Sequence, residues 1–160
     1  MAIYKKQLNR EQALQKLKHY CGYQERCHHD VTEKLYSLGV RKADHGDIIA
    51  ALIGEGYLNE ERFAIAFAGG KFRVNQWGRT KIKYALRQKQ VSDYCIKKAL
   101  SGIGEEEYLQ LLHKLVLGKY TSLKTEQYLV RKKKTIDYLV QKGFEPNLIE
   151  ASVTRLIKPA

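Results

Sequence analysis

The stretch VTEKLYSLGV, residues 31 to 40, reads as a helix followed by its stop signal. Val31, Leu35 and Leu38 recur at the spacing of one helical face. Gly39 followed by Val40 is the pattern of a helix closed by a left-handed glycine and sealed by a hydrophobic contact. The pattern returns 51 residues later in IKYALRQKQV, residues 82 to 91, with Ile82, Leu86 and Val91 where Val31, Leu35 and Val40 stand. After a further 53 residues TIDYLVQKGF, residues 135 to 144, repeats it through Leu139, Gly143 and Phe144. The middle copy carries Gln90 in the glycine position, so that unit is expected to close its helix differently, because a non-glycine residue in the left-handed region costs about 1 kcal/mol.

Each copy is followed by a second amphipathic helix: DIIAALIGEG at 47 to 56, DYCIKKALSG at 93 to 102 and NLIEASVTRLI at 147 to 157. Asp47, Asp93 and Asn147 stand where N-caps or first-turn acceptors would satisfy free backbone N–H groups. Each copy is preceded by a third helix, around 11 to 21, 59 to 71 and 104 to 119, carrying Leu14 and Leu17, Phe63 and Phe67, and Tyr108, Leu111, Leu112 and Leu115. The spacing therefore predicts an all-α chain of three tandem three-helix repeats, over residues 1 to 58, 59 to 103 and 104 to 160. Short helices are marginal alone, so each must lean on its own unit and on its neighbours, which predicts an elongated, curved array. Aligning the third unit needs about five extra residues in KYTSLKTEQ, 119 to 127, read as a longer linker or an extended helix start.

Composition narrows the function. The 29 basic and 17 acidic residues leave a formal charge of +12, which favours an anionic partner. The excess is local: residues 71 to 100 hold nine basic residues against the single acid Asp93, whereas residues 1 to 60 balance nine against eight. No segment is long and apolar enough for a membrane span and the start MAIYKKQLNR lacks a signal-peptide core, so a cytoplasmic, non-membrane protein is expected. Cys21, Cys27 and Cys95 are an odd set at irregular spacing, against a disulfide framework. With His19, His28 and His29 the first two could suggest zinc, but there is no CxxC pair, and adjacent histidines on a helix point about 100° apart.

Catalytic patterns are lacking. There is no Walker or dinucleotide loop, no HExxH and no nucleophile elbow. Gly69 and Gly70 before Lys71 read as a helix end, and Glu105, Glu106 and Glu107 as favourable charge at a helix start. The expectation is a non-enzymatic protein without cofactor or metal.

The basic residues are better candidates. Arg79, Lys83 and Arg87 fall at i, i+4 and i+8 on one stripe, opposite Ile82, Ala85, Leu86 and Lys89. Like charges at that spacing repel by a few tenths of a kcal/mol per pair, so such a stripe makes sense beside an anion; the plainer reading is a solvated face. Reversing all three to Glu is expected to weaken binding and leave helicity nearly intact. Arg131, Lys132, Lys133 and Lys134 form a second basic run that covers all sides of a helix. Trp77, the only tryptophan, precedes Gly78 at the start of the stripe helix, and reads as packing at the helix entry rather than a stacking surface.

The block from 57 to 91, YLNEERFAIAFAGGKFRVNQWGRTKIKYALRQKQV, resembles the RecX family of regulators of the bacterial recombinase RecA. The resemblance rests on Tyr57, Leu58, Asn59, Glu60, Arg62, Phe63, Ala64, Lys71, Arg73, Gly78, Arg79, Ile82 and Leu86; Gln90 departs from the usual glycine. It is sharp over this block and looser in the flanking units. It implies an all-helical, monomeric repeat protein that lies along a RecA filament and limits its growth, ATP hydrolysis and strand exchange in DNA repair, recombination and the SOS response. No catalytic set is implied. Candidate contacts to RecA or DNA are Lys71, Arg73, Arg79, Lys81, Lys83, Arg87, Arg131, Lys132, Lys133 and Lys134, with single- or double-stranded DNA as a direct ligand. The alternative is a free-standing basic DNA-binding protein, since the two-helix turns at Gly39 and Gly143 loosely resemble helix-turn-helix units.

Overall fold

The computed structural model describes residues 7 to 158. Among them are nine α-helices and no strand: α1 (Arg10–Tyr23), α2 (His28–Ser37), α3 (Lys42–Gly54), α4 (Glu60–Arg73), α5 (Arg79–Gln88), α6 (Asp93–Ser101), α7 (Glu105–Ser122), α8 (Tyr128–Gln141) and α9 (Pro146–Leu156).

The stop signal that defines the repeat recurs atom for atom. The N–H groups of Val40, Val91 and Phe144 donate to the carbonyls of Leu35, Leu86 and Leu139, each at 3.1 Å. The residues before them, Gly39, Gln90 and Gly143, all take positive φ, at 71°, 59° and 95°. Gln90 thus closes its helix as the glycines do, contrary to the expectation of a different closure. The bond from Val91 and the burial of Val91, Leu86 and Ile82 offset the left-handed strain, since each fully buried aliphatic side chain contributes about 1.5–3 kcal/mol.

Helix starts depart more from the sequence reading. α3 begins at Lys42, after Val40 and Arg41, so Asp47 lies inside the helix and pairs with Arg10 at 3.5 Å rather than capping. Asp93 and Asn147 do sit in first turns, but the α6 cap is Ser92, whose Oγ accepts from the Cys95 N–H at 3.3 Å, and α9 begins with Pro146 after Glu145. α2 is capped by Cys27: its Sγ accepts from the Asp30 N–H at 3.4 Å, while Asp30 accepts from the Cys27 N–H at 3.2 Å. The extra residues within the third unit lengthen α7 through Ser122 and leave only residues 123 to 127 as a connection to α8.

The helices pack into two compact units. The first comprises the described residues up to Ala66 together with Leu86–Lys98. Its core joins Ala13, Leu17 and Cys21 of α1, Val31 and Leu35 of α2, and Ile48 and Leu52 of α3, with Val40 and Leu58 closing the ends. Lys89 donates to Asp30 at 2.9 Å, tying Gln90's turn to the α2 cap. Burial raises the Asp30 pKa, but the Lys89 ammonium and the Cys27 N–H outweigh it and hold the carboxyl below its ordinary value.

The second unit comprises Phe67–Ala85 and the described residues from Ala99 onward. Its core is built on Tyr108, Leu112 and Val116 of α7, Leu139 of α8, Phe144, and Ile149 and Val153 of α9. The Tyr108 ring lies between Phe72, 5.8 Å away, and Phe144, 5.2 Å away, centre to centre. Ser152 is buried but satisfied by His113 Nδ1 at 2.7 Å.

Candidate functional site

The segment joining α4 to α5 lies in the second unit and is tightly held. The Val74 N–H donates to Gly70 at 2.8 Å, and the Trp77 N–H reaches back to the Lys71 carbonyl at 3.0 Å. Between them Gln76 is forced to φ 58°, a left-handed conformation that costs a non-glycine residue about 1–2 kcal/mol.

The first N–H groups of a helix normally lack partners and can receive an anion. At the start of α5 the N–H groups of Gly78, Arg79 and Thr80 are already occupied. Gly78 donates to the Lys142 carbonyl at 2.8 Å, Thr80 to the Gly143 carbonyl at 2.9 Å, and Arg79 to the Tyr108 hydroxyl at 3.1 Å. So close an approach of two backbones leaves no space for side chains. A Cβ on Gly78 would strike the carbonyl of Gly143 and the nitrogen of Phe144, and one on Gly143 would strike Lys81. This explains the glycine of the Gly78–Arg79 pair.

Arg79 is held as firmly. Its guanidinium lies 3.7 Å from the Tyr108 ring centre, with Nη2 donating to Glu105 at 2.5 Å and Nη1 to Glu145 at 2.9 Å. The Tyr108 hydroxyl donates to Glu145 in turn. Burial works against the Arg79 charge, but the two carboxylates raise its pKa above the ordinary value; burial and Glu145 push Tyr108 upward. With its side chain only 22% exposed, Arg79 is an internal tie joining α5, α7 and the α8–α9 turn. The expectation that Arg79, Lys83 and Arg87 can all be reversed without disturbing the fold therefore fails at Arg79, where a carboxylate would face Glu105 and Glu145.

The other sequence candidates divide by what they touch. Lys71 and Lys81 place their ammonium groups 4.9 Å and 4.5 Å from the centre of the partly exposed Trp77 ring, and Lys71 is also 5.4 Å from Phe67. Such contacts contribute about 0.5–1 kcal/mol each at exposed positions. Lys142, which the sequence reading missed, adds a third cation by donating to the Asn75 carbonyl at 3.3 Å. The signal was faint: a lysine preceding the closing glycine of the third repeat. Among the described residues, Lys71, Lys81, Lys142, Lys83 and Lys132 form no ion pair. Arg73 pairs with Glu107 at 3.2 Å, Arg87 with Asp93 at 3.6 Å, Lys133 with Asp137 at 2.8 Å and Lys134 with Glu126 at 2.6 Å. Arg131 donates to the Tyr120 carbonyl at 2.6 Å and lies 3.6 Å from that ring's centre.

The cysteine and histidine cluster of the first unit is engaged in packing and capping. Cys27 is fully buried, its thiol pushed up to about 11 chiefly by burial, which disfavours the thiolate that metal binding needs. His29 lies 3.3 Å from Glu33. Among the described residues no group of three or more His, Cys, Asp or Glu side chains could hold a metal ion, and no helix is long and apolar enough to cross a membrane.

The nine helices among the described residues and the stop signal repeated three times define a helical repeat protein of three-helix domains. The chain belongs to the RecX family: the model of the second three-helix domain of RecX matches residues 59–100 and that of the third matches 105–152, together more than half of the chain. Among curated relatives, regulatory protein RecX of Bacillus cytotoxicus is 28% identical over 137 residues, covering 86% of this chain and 51% of the relative. That of Leuconostoc mesenteroides is 29% identical over 127 residues, covering 79% and 48%. The chain thus spans about half the length of these relatives. A crystal structure of RecX from Lactobacillus salivarius shares the fold with a TM-score of 0.84 at 22% identity, over 92% of this chain and 96% of that one. A second crystal structure, of a regulatory protein RecX, gives 0.84 at 23% identity, over 91% and 73%.

Proposed function

We propose that this chain regulates the recombinase RecA by binding the protein or its filament on DNA, restraining filament growth, ATP hydrolysis and strand exchange. The observation that carries the reading is membership of the RecX family across two consecutive three-helix domains. The formal charge of +12 suits a long anionic nucleoprotein surface, steering encounter and fixing register. The mechanism is occlusion by a scaffold of three repeats, bounded at 58 and 103, and involves no covalent step. The chain acts as a monomer in the cytoplasm.

Among the candidate contacts, Lys83 and Lys132 lead, because neither has to leave a carboxylate to meet a new anion. Lys71 and Lys81 follow, since they leave only an aromatic contact. Arg73, Arg87, Lys133 and Lys134 would exchange exposed pairs worth about 0–1 kcal/mol each, and Arg131 a carbonyl. Arg79 contributes by holding the scaffold.

The test is a titration of the cognate recombinase's ATP hydrolysis and strand exchange on single-stranded DNA. A stoichiometric amount of this chain should depress both; no effect sinks the reading. A second reading, a free-standing DNA-binding protein, is favoured by the unpaired Lys83 and Lys132. It predicts recombinase-independent affinity for bare DNA that falls steeply with salt.

A further inference from the structure

We infer that Trp77, with Lys71 and Lys81 against its ring and Lys142 on the same turn at Asn75, forms a binding site for unpaired nucleotides: the indole stacks on a base and the ammonium groups meet the flanking phosphates. The inference deepens the filament-directed reading above by naming the chemistry of one contact, and it rests on that reading.

Three features of the second unit carry it. The indole is partly exposed yet held by its backbone: the Trp77 N–H is bonded to Lys71, and the next residue, Gly78, is locked against Lys142 and Gly143. A pre-positioned ring loses little freedom when a base settles on it. Secondly, a non-glycine residue, Gln76, is kept at φ 58° immediately before the tryptophan, a strained conformation of the kind that persists where it serves to present a side chain. Thirdly, three cations converge on this short turn, and among the described residues none of them has a carboxylate partner. Elsewhere in the unit Arg73, Arg79, Lys133 and Lys134 are paired with carboxylates, whereas Lys83 and Lys132 are unpaired like the three lysines here; what sets these three apart is their convergence on one turn.

The two lysines over the ring do not close the site. An ammonium–indole contact is weaker than base stacking, and a phosphate is a stronger partner for each ammonium than the ring. A nucleotide therefore gains both contacts while displacing one weak arrangement. The same chemistry selects single strands, because stacking on a fixed ring needs a base whose face is not already covered by its neighbours in a duplex. The N–H groups of Gly78, Arg79 and Thr80 play no part, being occupied.

Trp77 is the only tryptophan, so its emission reports the site directly. The full chain is titrated with short oligothymidylate, with a duplex of equal length and with polyglutamate, following indole emission and, separately, the anisotropy of labelled oligonucleotide. Saturable quenching by oligothymidylate at concentrations where duplex and polyglutamate leave the emission unchanged is expected. Trp77→Ala should weaken oligothymidylate binding by about tenfold or more, whereas Trp77→Phe, which keeps a stacking ring, should lose less than about threefold. The double substitution Lys71→Gln with Lys81→Gln should weaken binding and lower the salt slope by roughly 1.4, as for two fewer phosphate contacts on a single strand. Circular dichroism confirms the helicity of each variant. Binding by anisotropy without any change in indole emission, wild-type affinity in a folded Trp77→Ala, equal quenching by duplex, or equal quenching by polyglutamate overturns the inference. If the recombinase titration shows no effect while oligothymidylate still quenches, the filament reading fails and the site stands; the reverse result fails the site alone.

Discussion

The three helix closures offer a controlled comparison, because one hydrogen-bonded motif is built on Gly39, Gln90 and Gly143 in different surroundings. Gln90→Gly relieves about 1–2 kcal/mol of left-handed strain and returns about 0.5–1 kcal/mol through the greater freedom of glycine in the unfolded chain. The net expectation is a stabilisation of about 0.5–1 kcal/mol, a rise of roughly 1–4 °C in Tm for a chain of this size. Gly39→Ala moves the other way: φ is 71° and a Cβ would meet open space, so the strain less the same unfolded-chain gain is lost, about 0.5–1 kcal/mol. Gly143→Ala adds a collision with the Lys81 backbone to the same strain, bringing the loss to about 2–4 kcal/mol. Thermal and urea unfolding followed by far-ultraviolet circular dichroism distinguishes the three, with an unchanged urea slope identifying a true stability effect. A lower Tm for Gln90→Gly, or equal losses for Gly39→Ala and Gly143→Ala, would refute the reasoning.

Arg79→Gln should destabilise the fold by about 3 kcal/mol, because Glu105 and Glu145 are left facing one another beside Tyr108, while Lys83→Glu should change stability by less than about 0.5 kcal/mol; urea midpoints measure both. Gly78→Ala should cost about 3 kcal/mol through its collision with Gly143, read as a lowered Tm and faster amide exchange at Thr80. Asp30, whose folded pKa lies below its unfolded value, contributes stability that is complete above the ordinary carboxylate range and is lost as pH falls through about 4 and below. Asp30→Asn should therefore flatten the acid limb of a stability–pH profile, and an unchanged limb would exclude the Lys89–Asp30 pair as its source.

What could be read from the sequence was periodic or local. Leu35, Leu86 and Leu139 mark the same helical turn, and the pairs ending at Val40, Val91 and Phe144 fix where three helices stop, because a closure is specified within six consecutive residues. Caps were harder. Cys27 is an unusual N-cap, recognisable only through its reciprocal bond with Asp30, and Asp47 looked like a cap because its side chain favours that position, although α3 had already begun at Lys42. The conformation of Gln90 could not be inferred from residue type, since packing of its neighbours overrides a preference of about 1 kcal/mol. Arg79 lay on a well-formed basic stripe, but its role is set by Glu105 and Glu145, which are 26 and 66 residues away in sequence. Only tertiary structure brings them to it. Lys142 likewise reaches Asn75, 67 residues away in sequence, only through the tertiary structure.

The occupied amino end of α5 also bears on how the chain is made. Its partners, the carbonyls of Lys142 and Gly143, are synthesised roughly 60 residues after Gly78. At about 5–20 residues per second on a ribosome, α5 waits some 3–12 s with its first N–H groups bonded to water. The start of this helix is therefore among the last pieces to set, and a chain interrupted before the third repeat would carry a second repeat that cannot complete itself.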